Sequence, residues 1–154
     1  MSSDGSRPIC AREPRTKVTE SGVERMTKKI LIVEDNPDYR EILGLFITNM
    51  GHQAIKAKNS YQAITLAEAE GPDLILMDMQ LPDVDGVKTT AMLKQNPKTA
   101  RIPVVALTAW ISALGEEKGL KVGIATYLIK PVSLQMLKQT IEEYTHGSLA
   151  RGEV

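Results

Sequence analysis

The sequence predicts an α/β fold, five parallel strands alternating with five helices in a (βα)5 chain, with helices on both faces of the sheet. Three observations carry this. Ile30-Leu31-Ile32-Val33, Leu74-Ile75-Leu76-Met77 and Val104 to Leu107 are short unbroken apolar runs, the pattern of strands buried on both faces. Each is followed by a stretch with helix start and stop signals. Strict alternation of the two kinds favours parallel strands joined by crossover helices.

The elements follow in order. After Ile30–Val33, Asn36-Pro37 supplies an N-cap and a proline at the first helical position. Tyr39, Ile42, Leu43, Phe46 and Met50 then recur on one helical face, ended by Gly51. Gln53 to Ala57 reads as the second strand, and Ser60 to Glu70 as a capped helix closed by Gly71-Pro72. Leu74 to Met77 is the third strand, and Val87 to Gln95 a helix halted by Pro97. Val104 to Leu107 is the fourth strand, Ser112 to Val122 a helix, and Thr126 to Ile129 a short fifth strand. A last helix from Ser133 places Leu134, Leu137, Ile141 and Tyr144 on one face.

The chain has 154 residues, with 19 Lys+Arg against 19 Asp+Glu and a single cysteine. That length suits one domain with a real core, without disulfides or metal staples. Zero formal charge gives no support for a nucleic-acid surface. The apolar runs fall far short of the ~20 residues of a membrane span. Cys10 cannot pair within the chain, so nothing suggests an oxidising compartment, and the expected location is the cytoplasm. Residues 1–27 are polar and mixed in charge, without helical or strand period, and read as a disordered N-terminal extension. Met26, directly before Thr27-Lys28-Lys29 and the first strand, is the expected natural start. The domain spans 28–145, and 146–154 is a short polar tail.

In such folds ligands bind beyond the carboxyl ends of the strands, where the strand order reverses. The residues just after the apolar runs are therefore the informative ones. They are Glu34-Asp35 after the first, Asp78 after the third, Thr108 after the fourth and Lys130-Pro131 after the fifth. A lone Asp after a strand is usually a turn former. Reactive groups at four of five strand ends are far less expected by chance.

These stretches resemble the receiver domain of bacterial two-component response regulators. The matching residues are Lys29-Ile30-Leu31-Ile32-Val33-Glu34-Asp35-Asn36, Leu74 to Gly86 (with Asp78-Met79-Gln80-Leu81-Pro82-Asp83-Val84-Asp85-Gly86), Ile102 to Ala109 and Tyr127-Leu128-Ile129-Lys130-Pro131. The resemblance covers about residues 28–144 in order and spacing. It implies a flavodoxin-like doubly wound sheet of strand order 2-1-3-4-5. With the domain taking most of the 154 residues, the length leads us to expect a stand-alone receiver, or the receiver piece of a hybrid protein, with no room for a DNA-binding half.

Each residue then has an expected role. Asp78 is the phosphoacceptor, since a carboxylate can take a phosphoryl group as an aspartyl phosphate. Bringing a phosphoryl anion to a carboxylate sums negative charge, which calls for Mg²⁺, a hard cation with oxygen ligands. Asp35 and Asp78 fit as direct ligands and Glu34 through water, and the resemblance implies the backbone carbonyl of Gln80 as another. Without a cation, one of the three carboxyls should have a raised pKa. Lys130 supplies a positive charge to a phosphoryl oxygen, and the bond to Pro131 is expected to be cis. Thr108 is the switch hydroxyl, and Tyr127 matches the family's switch aromatic, with a plain rim residue as its alternative. The phosphoryl donor is a histidine kinase or histidine phosphotransfer protein, and the output an unidentified partner protein. Kinase specificity is expected on the first helix (Tyr39, Glu41, Ile42, Thr48, Asn49).

Some features are particular to this chain. Trp110, the only tryptophan, follows Thr108 by two residues and either shields the acyl phosphate or packs locally. Gly115 and Gly119 should make Ser112–Val122 the least stable helix. Thr126 stands where the family often has an acid. A phosphorylation-dependent homodimer is left open, because the residue set marking the dimer face of DNA-binding regulators is absent. No nucleotide-binding glycine motif occurs. Leu81 and Met92 spoil a calcium loop at Asp83-Val84-Asp85-Gly86. His52 and His146 read as surface or loop residues. The competing function is a haloacid-dehalogenase-like phosphohydrolase, also with an Asp nucleophile and Mg²⁺. That family needs a second acid two residues after the nucleophile, where this chain has Gln80.

Overall fold

The computed structural model of the chain describes residues 16–18 and 24–145. Seven strands and five helices follow one another as β1 (Thr16–Val18), β2 (Glu24–Met26), β3 (Lys29–Val33), α1 (Pro37–Asn49), β4 (Gln53–Ala57), α2 (Ser60–Glu70), β5 (Leu74–Asp78), α3 (Gly86–Gln95), β6 (Val104–Thr108), α4 (Ala113–Val122), β7 (Ile124–Ile129) and α5 (Leu134–Thr145). The main sheet has the order β4-β3-β5-β6-β7, all parallel. Counted from β3, this is the 2-1-3-4-5 flavodoxin-like order. From β3 the chain crosses first to one side and then returns to the other, so the reversal lies between β3 and β5. The carboxyl ends of those two strands are thereby neighbours.

Alternation along each strand divides the core between the two sheet faces. Ile30, Ile32, Leu74, Leu76, Val105 and Leu107 pack with Leu43 and Ile47 of α1 and Leu137 and Ile141 of α5. Leu31, Val33, Ile75, Met77 and Val104 pack with Ala63 and Ala67 of α2 and Leu93 of α3. Each large side chain so buried stabilises the fold by roughly 1.5–3 kcal/mol before ordering entropy is subtracted.

Local signals set the helix starts. The Asn36 side chain accepts from the N–H groups of Asp38 and Tyr39, and Asn59, Asp85 and Ser112 cap α2, α3 and α4 in the same manner. Most of the two expected apolar faces pack on the core, and one residue of each turns outward. On α1 Leu43, Gly44 and Ile47 are buried and Tyr39, Phe46 and Met50 pack beside them, while Ile42 is 43% exposed. On α5 Leu137 and Ile141 are buried and Leu134 is largely exposed. A three-four spacing admits either choice, and contact with the sheet decides it.

Within the segment read as a disordered extension, Thr16–Val18 pairs antiparallel with Glu24–Met26 in a separate two-stranded ribbon. Three-residue strands are too short to show a period, and an isolated ribbon is marginal in water. Residues 1–15 and 19–23, including Cys10, and the tail 146–154 with His146 lie outside the described residues. No helix among the described residues is long and apolar enough to cross a membrane.

Candidate functional site

The sheet's hydrogen-bond ladder carries the reactive residues. Beyond the strand ends it continues with Glu34 N–H to Ala57 O (3.0 Å), Met79 N–H to Leu107 O (3.0 Å) and Lys130 N–H to Thr108 O (2.8 Å). Asp78 and Thr108 are themselves the last residues of β5 and β6. Main-chain bonding therefore brings Glu34, Asp78, Thr108 and Lys130 to one edge, at the strand reversal.

The charged centre is built on Lys130. Its ammonium donates to Glu34 Oε1 at 2.9 Å and lies 3.4 Å from Asp78 Oδ1. Both acids are nearly inaccessible, with Glu34 2% and Asp78 5% exposed. Asn36 N–H donates to the second Glu34 oxygen (3.1 Å), and Gln80 N–H to Asp78 Oδ1 (3.1 Å). Burial pushes the Glu34 carboxyl above its ordinary value, aided by the nearby Asp78 charge and opposed by Lys130. Burial alone would lower Lys130, but the hydrogen bond to Glu34 and the charges of both acids raise it instead. The two shifts share a direction for different reasons, Glu34 rising chiefly through burial and Lys130 through its two acid partners. Glu34, a member of the acid trio, thus has the raised pKa expected of one of the three.

Asp35 lies beside this cluster but is exposed. Arg40 fixes the backbone here, donating to Glu34 O at 2.8 Å and Asp35 O at 3.4 Å. Among the described residues no three His, Cys, Asp or Glu side chains gather into a metal cage. A closed, all-protein site for a cation is therefore not built. An open set of oxygen donors with two adjacent carboxylates suits Mg²⁺, which keeps several waters and uses one or two carboxylates.

Close packing places the loop after β5. Gly86 is buried, and a Cβ there would strike the Met79 side chain and come within 2.9 Å of Met79 Cα. Without a side chain, the start of α3 can seat directly on the end of β5. Across the same loop Asp83 accepts from the N–H groups of Ser60 (3.0 Å) and Tyr61 (3.2 Å), capping α2 from outside that helix.

Thr108 and Tyr127, the expected switch pair, both make hydrogen bonds on α4's side of the site. Thr108 Oγ1 donates to Trp110 O at 2.7 Å and accepts from Trp110 N–H at 3.3 Å. Tyr127 donates to Gly115 O at 3.2 Å, and its hydroxyl occupies the place a Cβ on Gly119 would take. Met79, Gln80, Thr108, Trp110 and Tyr127 line a shared hollow of about 250 Å³. Trp110 itself is 75% exposed, and Thr126 is half-buried in β7. The Lys130–Pro131 bond is cis.

Sequence reasoning missed three residues. Arg40 and Asp83 act on backbone, which no residue pattern announces. Tyr39, assigned above to the partner-facing side of α1, accepts from Val132 N–H at 3.0 Å and lies beneath Lys130, whose ammonium is 5.1 Å from the ring centroid. Of the other α1 positions, Ile42, Thr48 and Asn49 are exposed and Glu41 pairs with Lys56 at 3.0 Å. His52 accepts from Lys28 N–H through Nδ1, far from the site in sequence and at the opposite ends of the strands.

Comparison with known proteins agrees with this geometry. Residues 30–142 match the family model described as the response regulator receiver domain. The polar-differentiation response regulator DivK of Brucella ovis is 38% identical over 119 residues, covering 77% of this chain and 97% of DivK. Among solved structures, the receiver domain of sensor histidine kinase PA1611 from Pseudomonas aeruginosa PAO1, with magnesium coordinated in its active site cleft, superposes with a TM-score of 0.72. It is 30% identical, covering 78% of this chain and 98% of that one. A chain from the co-crystal of the Saccharomyces cerevisiae phosphotransfer protein Ypd1 with the receiver domain of Ssk1 gives a TM-score of 0.70 at 32% identity, covering 78% and 90%. With the reactive residues at the strand reversal and the family match over most of its length, this chain belongs to the response regulator receiver domains of two-component signalling.

Proposed function

We propose that the protein is a phosphorylation-controlled switch in which Asp78 accepts a phosphoryl group from a histidine kinase or histidine phosphotransfer protein. The observation that carries this reading is Asp78 at the end of the central strand, with Lys130 3.4 Å from its Oδ1. Gln80 N–H is also on Oδ1, which leaves Oδ2 to attack. As the Oδ2–P bond forms, the P–N bond of the donor phosphohistidine breaks and the imidazole leaves. Lys130 balances charge on a phosphoryl oxygen. Asp35, Asp78 and the Gln80 carbonyl would hold Mg²⁺, with Glu34 through water. When bound, the ion supplies positive charge against the phosphoryl oxygens.

Thr108 then reports the event. Its hydroxyl donates to Trp110 O, and a phosphoryl oxygen on Asp78 competes for the same proton. Contacts made only in the phosphorylated state shift an equilibrium that already exists. Tyr127, bonded to Gly115 O, carries the shift to α4, and the altered surface binds a partner protein. The setting is the cytoplasm, where such kinases deliver phosphate. The switch occupies 28–145, with 1–27 and 146–154 as extension and tail.

Incubation with acetyl phosphate and Mg²⁺ tests the reading. The expected result is a stable phospho-adduct by mass spectrometry, lost in Asp78→Asn. Rapid phosphate release from many monoesters without an adduct would overturn it in favour of a phosphohydrolase.

A further inference from the structure

Lys130 must present its charge at one place, yet a lysine is a point charge on a flexible four-carbon stem. Glu34 and Asp78 hold the ammonium through their carboxylates. Tyr39 adds a third contact. The ring lies under the ammonium, 5.1 Å from Nζ to centroid, where an aromatic face attracts a cation. The hydroxyl of the same residue accepts from Val132 N–H at 3.0 Å, two residues beyond Lys130 on its own loop. Tyr39 is held in turn by the α1 cap. Asn36 Oδ1 accepts from Tyr39 N–H at 3.0 Å, while Asn36 N–H donates to Glu34 Oε2 at 3.1 Å. An unbroken chain of contacts thus runs from Glu34 through Asn36 and Tyr39 to Lys130 and back to Glu34.

We propose that Tyr39 is a positioning residue for phosphoryl transfer, holding the Lys130 ammonium over its ring and pinning the Lys130 loop through Val132. This rests on the reading of Asp78 as phosphoacceptor. Tyr39 acts through Lys130 and touches no reacting atom. The ring and the hydroxyl have separable parts. Tyr39→Phe keeps the face and frees Val132 N–H, whereas Tyr39→Leu removes both contacts while still filling apolar space.

The test combines phosphorylation by acetyl phosphate and Mg²⁺ with NMR of protein carrying ¹³C-labelled lysine. The Lys130 Cε–H signal, assigned by its loss in Lys130→Arg, should be shifted upfield by the ring in the wild type. That shift should persist in Tyr39→Phe and collapse in Tyr39→Leu. Misplacing a charge at a reacting centre is costly, so Tyr39→Leu should phosphorylate about five- to tenfold more slowly and Tyr39→Phe about twofold more slowly. An unmoved Lys130 signal in Tyr39→Leu overturns the proposal, whatever the rate does. So does a wild-type rate in a Tyr39→Leu protein whose Lys130 signal has moved. If Asp78→Asn still gains the adduct, the phosphoacceptor reading fails instead, which separates the two failures.

Discussion

Helices α4 and α5 are nearly equal in length, at 10 and 12 residues, yet they are attached to the molecule in different ways. α5 inserts Leu137 and Ile141 into the core with full burial. α4 buries only Gly119 and turns Leu114 and Leu120 to solvent. Gly119 seats it against Ile124 and Tyr127, and the Ser112 cap and the Tyr127 hydroxyl on Gly115 O add polar contacts. A helix with large side chains in the core is an anchor, while one without them is more readily released. The element beside Thr108 is of the second kind.

The largest way to break this contrast is to remove what anchors α5. Leu137→Ala should cost about 2–5 kcal/mol, because a cavity opens in a packed core. Leu120→Ala on α4 should cost about 0.5 kcal/mol or less. Urea midpoints of the two variants measure the difference, and equal losses would erase the distinction.

Glycine substitutions sharpen it at finer scale. Ala at 119 gains about 1 kcal/mol of helix propensity, but its methyl displaces the Tyr127 hydroxyl and overpacks by about 1–3 kcal/mol. Gly119→Ala should therefore lower the melting temperature and free Tyr127 from α4. At Gly115 the nearest atom to a Cβ is Ser112 Oγ at 3.1 Å, so Gly115→Ala needs only a small shift there. It should be neutral or stabilising in the same melting experiment. Native-state hydrogen exchange offers a direct reading: α4 amides should open more readily than those of α5. Equal protection of the two helices would remove α4 as the releasable element.

The smallest expected effect concerns Asp83, which holds the loop after β5 to α2 as Tyr127 holds α4. What burial it has would raise its pKa, but the N–H groups of Ser60, Val84 and Tyr61 prevail and lower it from 3.8. A lowered carboxylate contributes stability that is present above 3.8 and lost as pH falls through the folded-state value. Asp83→Asn should thus be slightly less stable than wild type at pH 6, with the gap closing below pH 3.8. Denaturation curves across that range check it, and a pH-independent gap would show that the charge plays no part.

The strands, the helix caps and the four reactive strand ends were readable because each rests on neighbours in sequence. Asn36-Pro37 announces a helix start, and Ile30–Val33 a strand buried on both faces. The errors have physical causes too. Asp78 and Thr108 belong to their strands although apolarity stops one residue earlier, because backbone pairing is indifferent to side-chain polarity. Ile42 and Ile47 stand at opposite edges of the apolar arc of α1, and only contact with the sheet decides which is buried. The contacts Tyr39–Val132 and Asp83–Ser60 join residues 93 and 23 positions apart, a separation local patterning does not reach.

The ladder bonds that continue past β3, β5 and β7 have a consequence for how such a protein can diversify. Main-chain groups are the same in every residue, so the reactive edge is located by chemistry that substitutions on helix surfaces leave untouched. The outer faces of α1 and α4 are then free to change while the strand-end residues stay in register. A chain only 30% identical superposes on this one with a TM-score of 0.72. Address and chemistry are written in different parts of the molecule, and one can be rewritten without erasing the other.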